Sequence, residues 1–502
     1  MTMILRGGRI LDAETRDAPY RDLFVSDGTI LDVMPPGAAG PDGVPVRDVS
    51  GHLVIPGLVN GHTHGHGSLG KGRGDRWSLE LLLNAGVWIS GQRTAEDMYL
   101  ATLLNAAEMI RRGCTATYDL TLELPHPSVA GIRQVARAYE DAGMRAVVAP
   151  MVADVGYHDL VPELGEALEP GLRDTVKAWT PEPWQVSIDA CRDIVRDWSP
   201  ARDMVRPGLA PTIPMHCTDA FLEACRDLAG EYSLPVHMHM AESKFQAILG
   251  HQTYGMSLTR HVDRIGLVDE HFTAAHGVWL DDDEMRLLAD RGASVVHNPG
   301  SNLRLGSGLA AVRHMLQAGL NVAVGSDGSN SSDNQNMFEA MRLATFVSRV
   351  MTHDLSRWVS ADEAFRMTTL GGARAMGLDG RIGRIAPGYL ADLVFIDLGD
   401  LAWLPLNDPL NQLVYADDGG SVDHVMINGR MVYEDRRFTT IDIDDLAARI
   451  NRAMERLNAA TGERRKAVKA LEPVVADLCV CFMSRPWHVH RMCDEAAASA
   501  DR

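Results

Sequence analysis

Histidines recur in this chain at spacings that can bring several imidazoles to one point. Two pairs stand out: His62-Thr63-His64, closing the apolar run Pro56-Gly57-Leu58-Val59-Asn60-Gly61, and His237-Met238-His239, inside Val236-His237-Met238-His239-Met240-Ala241-Glu242. Residues i and i+2 of a β-strand leave the same face, so each pair can aim two ring nitrogens at one metal ion. Further along, Ala275-His276-Gly277, Val296-His297-Asn298-Pro299 and Gly325-Ser326-Asp327-Gly328 each end an apolar run with a group that can bind a metal or move a proton. Imidazole nitrogens with one carboxylate oxygen are an ordinary ligand set for Zn2+ or Fe2+ and leave a position for water. Such a cation lowers the pKa of its water to about 7. A carboxylate such as Glu242, close after His239, can accept the released proton and pass it to a leaving group. Singly, each residue has a structural alternative: His276 or His297 as a hydrogen-bonded core residue, Asp327-Gly328 as a turn, Glu242 as a helix cap. Their joint placement at successive run ends argues for one site.

The elements that would position them alternate. Eight apolar runs, at 58–64, 114–120, 145–152, 206–213, 235–242, 272–277, 294–299 and 321–327, are each followed by a segment able to form a helix, for example 95–112 and 310–318. Strands alternating with helices imply a parallel sheet, and eight such units over about 270 residues match a closed (β/α)8 barrel, whose functional side chains project from the C-terminal strand ends. An open doubly wound sheet is the rival; it would not bring the ends of runs one, five, six, seven and eight together. Residues 3–55 read instead as short strands with turn glycines, including an Asp27-Gly28 hairpin signal, and strand-rich stretches return at 388–397 and 422–433. The expected architecture is α/β: a barrel over 57–384, a small β-sandwich domain built from 1–56 and 385–440, and a C-terminal extension, 441–502, made of a helix over 444–471 and an irregular tail. The tail carries Cys479, Cys481, His488, His490 and Cys493, whose spacing matches no structural zinc pattern and reads as packing and surface positions.

Composition narrows the class. The chain has 502 residues, 46% hydrophobic and 23% charged, an ordinary globular balance. No apolar stretch is long enough to span a bilayer, and the N-terminus lacks the apolar core and cleavage site of a secretory signal. Seven cysteines at irregular spacing make no disulfide framework, which fits a reducing cytoplasm. The net charge of −19 opposes a nucleic-acid partner, and the short basic group Arg464-Arg465-Lys466 with Lys469 reads as a solvated helix face.

The motifs carry a resemblance. The sequence resembles the amidohydrolase superfamily, in its branch of cytosine-deaminase-like and s-triazine-type aminohydrolases, over about residues 3–440. The matching pieces are Pro56 to His64, His239-Met240-Ala241-Glu242, Ala275-His276-Gly277, His297-Asn298-Pro299-Gly300-Ser301-Asn302-Leu303 and Gly325-Ser326-Asp327-Gly328, followed by Asn336-Met337-Phe338-Glu339-Ala340-Met341-Arg342 and Gly383-Arg384-Ile385-Ala386-Pro387-Gly388. The resemblance implies one divalent metal, Zn2+ or else Fe2+, on His62, His64, His239 and Asp327. It makes Glu242 the proton shuttle, lets His276 polarise the substrate or steady the water, and lets Asp327 also hydrogen-bond that water. The fourth run, Arg206-Pro207-Gly208-Leu209-Ala210-Pro211-Thr212, has no lysine of the kind that bridges two metals in other members, so a single ion is implied, and His237 is then structural.

The implied reaction is hydrolysis of the amidine C–N bond of a nitrogen heterocycle (purine, pterin, pyrimidine or triazine) with release of ammonia. The alternatives are an N-alkyl, halide or amide bond cleaved by the same site, or a scaffold without chemistry. Nucleoside deaminases of the family hold the sugar with an acidic residue beside a tryptophan. The corresponding stretch is Arg76-Trp77-Ser78-Leu79-Glu80-Leu81, where Glu80 matches and Leu81 departs. Trp77, Glu80, His297 and Asn302 are the candidate substrate contacts, and the resemblance suggests a homodimer or higher homo-oligomer.

Overall fold

The computed structural model describes residues 2–161, 168 and 170–492, so Cys493 lies outside the described residues. The two ends of the chain meet in one sheet of nine strands. Its order runs Arg437–Phe438, Arg430–Glu434, Val422–Ile427, Leu393–Asp397, His52–Pro56, Thr2–Ile10, Tyr20–Ser26 and Thr29–Met34, with Val46–Asp48 beside Thr2–Ile10. The Asp27-Gly28 hairpin has φ of 50° and 78°, the positive pair that a type I′ turn demands and that Asp-Gly adopts readily. Leu5, Leu23, Val25, Val54, Leu393, Phe395 and Met426 cluster on one face as a core separate from the main one. Where this sheet meets the rest of the molecule, fully buried Arg145 donates to Asp392 at 2.6 Å and to Asn428 at 3.0 Å, so the charge entering the interior is paired on arrival.

The middle of the chain is a TIM-like α/β barrel. One parallel sheet holds Leu58–Thr63, Cys114–Thr121, Arg145–Val152 and a fourth strand in two pieces, Val205–Pro207 and Ala210–Pro211. The interruption follows from Pro207 and Pro211, which cannot donate to a ladder. A second parallel sheet holds Val236–Met240, Phe272–His276, Ser294–His297 and Asn321–Val324 in that order. The sheets join at both edges. His237 N–H donates to Leu209 O at 3.0 Å and His239 N–H to Thr212 O at 2.9 Å; on the far side Asp327 N–H reaches His62 O at 3.0 Å. Gly325 permits that last approach, since a Cβ there would lie 2.4 Å from Asn298 Oδ1 and 2.9 Å from the His62 backbone nitrogen.

Helices pack outside the strands with the caps their sequences announce. Ala95–Ile110 starts on a Thr94/Asp97 capping box, and Val129–Ala142 stops at Gly143 with φ of 73°. The helix expected over 310–318 is the shorter Val312–Gln317. The C-terminal extension departs from expectation: it forms two helices, Ile443–Ala460 and Gly462–Met483, so Cys479 and Cys481 are helical and not part of an irregular tail. Val468, Leu471, Val475, Cys479 and Phe482 are the buried stripe of the second, and their spacing of three and four is what holds it down. Among the described residues no helix is long and apolar enough to cross a membrane, and the described cysteines are free thiols.

Candidate active site

Four strand ends converge at the barrel mouth. His62 and His64 leave the same face at the end of the first strand, His239 is next to last in the fifth, His276 ends the sixth, and Asp327 follows the eighth. Ring nitrogens of His62, His64 and His239 all lie within 4.8 Å of one another, as do the ligand atoms of His62, His276 and Asp327. Asp327 Oδ1 is 3.5 Å from His62 Nε2 and 3.3 Å from His64 Nε2. Ala241, His276 and Asp327 have φ of 48°, 69° and 61°. Non-glycine residues rarely hold this conformation, and it clusters at functional sites.

Protons on the rings are set by their outer partners. His64 Nδ1 donates to Leu120 O at 2.7 Å, and His239 Nδ1 donates to Thr212 O at 2.7 Å. A neutral imidazole carries one proton, so both Nε2 atoms present lone pairs, and these face each other at 3.1 Å. Two facing lone pairs repel unless a cation lies between them. Both ring nitrogens of His62 are buried with no hydrogen-bond partner. Burial holds His62 down to about 3 and His239 well below its ordinary value, and the neighbouring imidazoles push His239 further down. Burial works to raise the Asp327 carboxyl, yet His62, His64 and His276 together hold it well below the carboxylate range. Neutral imidazoles beside an ionised carboxylate are the protonation states a divalent metal requires, and the donor set fits Zn2+. Ser301 Oγ donates to Asp327 Oδ2 at 2.5 Å and leaves Oδ1 toward the histidines.

Glu242 stands opposite. Its Oε2 is 3.6 Å from His276 Nε2 and buried without a hydrogen-bond partner. Burial, then the charges of Asp327 and Glu80, raise its carboxyl well above the usual range. His276 Nδ1 donates to Asn302 Oδ1 at 2.9 Å, which turns its Nε2 toward Glu242. Asn302, expected at the substrate, thus engages His276, and its Nδ2 remains buried and unpartnered.

The remaining expected contacts separate. Glu80 is buried beside the mouth, its Oε1 accepting from Ser243 Oγ at 2.8 Å. Trp77 is half-buried and packs edge-on to Trp88 at 6.3 Å, in a cluster with Val468 of the C-terminal helix. His297 is fully buried, and both of its ring nitrogens lack partners. His237 is likewise buried and unpartnered, edge-on to Tyr118 at 4.5 Å. His66 Nδ1 accepts from Leu122 N–H at 3.1 Å, which places its proton on Nε2 and takes it out of any ligand set. Sequence reasoning did not single out Ser301, Tyr157 or His216. Ser301 lies within the His297–Leu303 motif, whereas the other two sit in the short 3-10 turns Tyr157–Asp159 and Pro214–His216 with no motif to mark them.

A barrel whose strand ends gather neutral imidazoles, an ionised aspartate and a protonatable glutamate defines the class of metal-dependent hydrolases. Residues 53–432 match the amidohydrolase family, and the chain belongs to that family. It is 34% identical over 456 residues to a 5-methylthioadenosine/S-adenosylhomocysteine deaminase of Syntrophobacter fumaroxidans, covering 89% of this chain and 96% of that protein. It is 33% identical over 443 residues to a 5'-deoxyadenosine deaminase of Methanothermobacter thermautotrophicus, covering 88% and 95%. Among solved structures, a zinc-bound adenosine deaminase from Xanthomonas campestris superimposes with a TM-score of 0.79 at 28% identity, over 91% of this chain and 98% of that one. An atrazine chlorohydrolase from Arthrobacter aurescens shares the fold, with a TM-score of 0.79 at 23% identity over 90% of this chain and all of that one.

Proposed function

We propose that this protein is a zinc-dependent aminohydrolase that removes the exocyclic amino group of an adenine nucleoside as ammonia. The single observation that carries the reading is the pair of lone pairs on His64 and His239, facing each other at 3.1 Å beside the buried carboxyl of Glu242. The curated deaminases it resembles point to the adenine ring. His62, His64, His239 and Asp327 would hold one ion, which when bound lowers the pKa of its water toward about 7.

The rest of the chemistry belongs to side chains. Glu242 takes the proton from the attacking water and delivers it to the ring nitrogen next to the reacting carbon. His276, fixed by Asn302, directs Nε2 at the oxygen that becomes the carbonyl. As the tetrahedral carbon collapses, Glu242 passes the remaining hydroxyl proton to the amino group, the C–N bond breaks, the amine leaves as ammonia, and the ring carbon keeps the oxygen as a carbonyl. Glu80 accepts from sugar hydroxyls, and His297 and Asn302 lie beside the ring.

The architecture that supports this is a closed (β/α)8 barrel over 57–384 with a β-sandwich from 1–56 and 385–440, and a C-terminal segment, 441–502, whose helix Gly462–Met483 lies beside Glu80 at the barrel mouth. The chain works as a homo-oligomer in the cytoplasm. Zinc-loaded protein incubated with adenosine, 5'-deoxyadenosine and 5-methylthioadenosine is expected to release ammonia with formation of the corresponding 6-oxo product. Release of an alkylamine or chloride from a triazine, with no ammonia from any adenine compound, would overturn the reading.

A further inference from the structure

The wall of the mouth beside Glu80 is made by the C-terminal helix, Gly462–Met483, which lies outside the family match of 53–432. It is docked on two sides. Val468 packs with Ala85, Trp88 and Ile89, and Phe482 meets Phe245 with ring centroids 4.6 Å apart. Lys244, two residues after Glu242, donates to Met483 O at 2.7 Å. The docked helix places Cys479 Sγ 3.5 Å from Glu80 Oε2 and 3.3 Å from Ser78 Oγ. Ser243 holds the other oxygen of Glu80. Tyr157 closes the same corner: its ring stacks on His216, and its hydroxyl is buried without a hydrogen-bond partner. Burial, then Glu80, push the Cys479 thiol up to about 12, and burial with Glu80 raises the Tyr157 phenol, so both stay neutral donors. A carboxylate steadied by two neutral donors, next to an unpartnered hydroxyl, is a receptor for a group that can both give and accept hydrogen bonds.

We propose that Cys479 and Tyr157 are specificity-determining residues that present Glu80 to a hydroxyl-bearing substituent of the substrate, so the C-terminal helix reads the sugar while the family barrel performs the chemistry. The inference rests on the deaminase reading above. Leaving a buried polar group unpaired is what lets such a site reject an analogue lacking the hydroxyl.

The test compares adenosine with 9-methyladenine, which shares the reacting amidine and lacks the sugar hydroxyls, on the zinc-loaded full chain. Cys479→Ala and Tyr157→Phe are each expected to cut the preference for adenosine, as a ratio of kcat/KM values, by about tenfold, chiefly through KM. Cys479→Ser, which keeps a donor, is expected to restore it to within about threefold of the parent and keeps the test open should the alanine variant fold poorly. Adenosine and 9-methyladenine falling in parallel, or an unchanged ratio in all three variants, would overturn this inference while leaving the deaminase intact. Parent protein that releases ammonia from neither compound would overturn both.

Discussion

Among the described residues, a cluster of histidine and aspartate at the barrel mouth and another on the terminal sheet look alike by residue type, and the first is built to hold a cation. At the barrel mouth the ligand atoms of His62, His64 and His239 lie within 4.8 Å of one another, as do those of His62, His276 and Asp327; on the terminal sheet His52, Asp423 and His424 do the same. The edges are alike: 3.1 to 3.5 Å at the mouth, and 3.1 and 3.3 Å from Asp423 Oδ2 to His52 Nε2 and His424 Nε2 on the sheet. The outer partners differ. At the mouth, backbone carbonyls take the Nδ1 protons and expose Nε2 lone pairs. On the sheet, Asp435 N–H donates to His424 Nδ1 at 3.0 Å, so the His424 proton is on Nε2 and points at Asp423. Arg436 sits 3.6 Å from the other oxygen of that carboxylate. On the sheet the Asp423 carboxylate is satisfied by two imidazole N–H groups and one ion pair, leaving His52 Nδ1 buried and unpartnered; at the mouth the Nε2 lone pairs themselves face each other and call for a cation. The atom facing Nδ1, not the residue count, separates the two.

The largest effect falls on the mouth. His239→Ala is expected to drop bound zinc from about one equivalent to below about 0.1 and to abolish ammonia release, measured by metal analysis on the purified chain. Glu242→Gln is expected to keep the metal and lose about 10^2- to 10^4-fold in kcat, because the shuttle and not the ligand set is removed. Ser301→Ala frees Asp327 Oδ2 and is expected to weaken zinc affinity by about 10- to 100-fold in a chelator competition, with the zinc-saturated rate kept within an order of magnitude. Full zinc occupancy in His239→Ala would erase the distinction drawn between the two clusters.

Acid offers a reading that does not depend on metal. Burial lowers His216 to about 4, and burial followed by the charge of His216 lowers His158 to about 4. Each is neutral in the fold and takes a proton on unfolding below its ordinary value of 6.5. The stabilisation is therefore present above pH 6.5 and is lost as pH falls from there toward 4. At about 1.4 kcal/mol per pKa unit, fully buried His216 contributes on the order of 3 kcal/mol over that window. Denaturant unfolding at pH 7 and pH 5 is expected to show about 2 kcal/mol of that loss, reduced in His216→Gln. Equal stability at the two values in the parent would show that His216 is charged in the fold.

What could be read from residues alone follows the same line. His62 and His64 are legible as a pair because strand periodicity puts i and i+2 on one face, and Asp27-Gly28 as a hairpin because few sequences tolerate two positive φ values. The carbonyls of Leu120 and Thr212 are not legible, since a backbone oxygen has no residue type; yet they decide which nitrogen of His64 and His239 is free. Tyr157 and His216 were invisible for another reason: they sit in short turns after the third and fourth strands, which stack His216 on Tyr157 beside Glu80, and no local spacing records that. The helix expected over 444–471 is in fact two, with the break at Thr461-Gly462, and the buried stripe of the second runs on past Pro473 to Phe482.

The smallest expected effect is the most discriminating for the comparison. His424→Gln on the sheet removes the bond to Asp423 and keeps an amide able to meet the Asp435 N–H. Asp423 retains His52 at 3.1 Å and Arg436 at 3.6 Å, so its charge is not stranded and the loss should stay near about 1 kcal/mol in denaturant unfolding. Zinc stoichiometry and kcat should both match the parent, because the Nε2 protons of His52 and His424 fill the approach to Asp423 and the unpartnered Nδ1 of His52 is a single lone pair with no second ligand turned to it. A parent chain that binds about two zinc ions, with the second lost in His424→Gln, would mean that the Asp435 N–H does not set the His424 tautomer. The His424 proton would then sit on Nδ1, and 15N chemical shifts of His64 and His239 would show directly whether both Nε2 atoms at the mouth are free of protons.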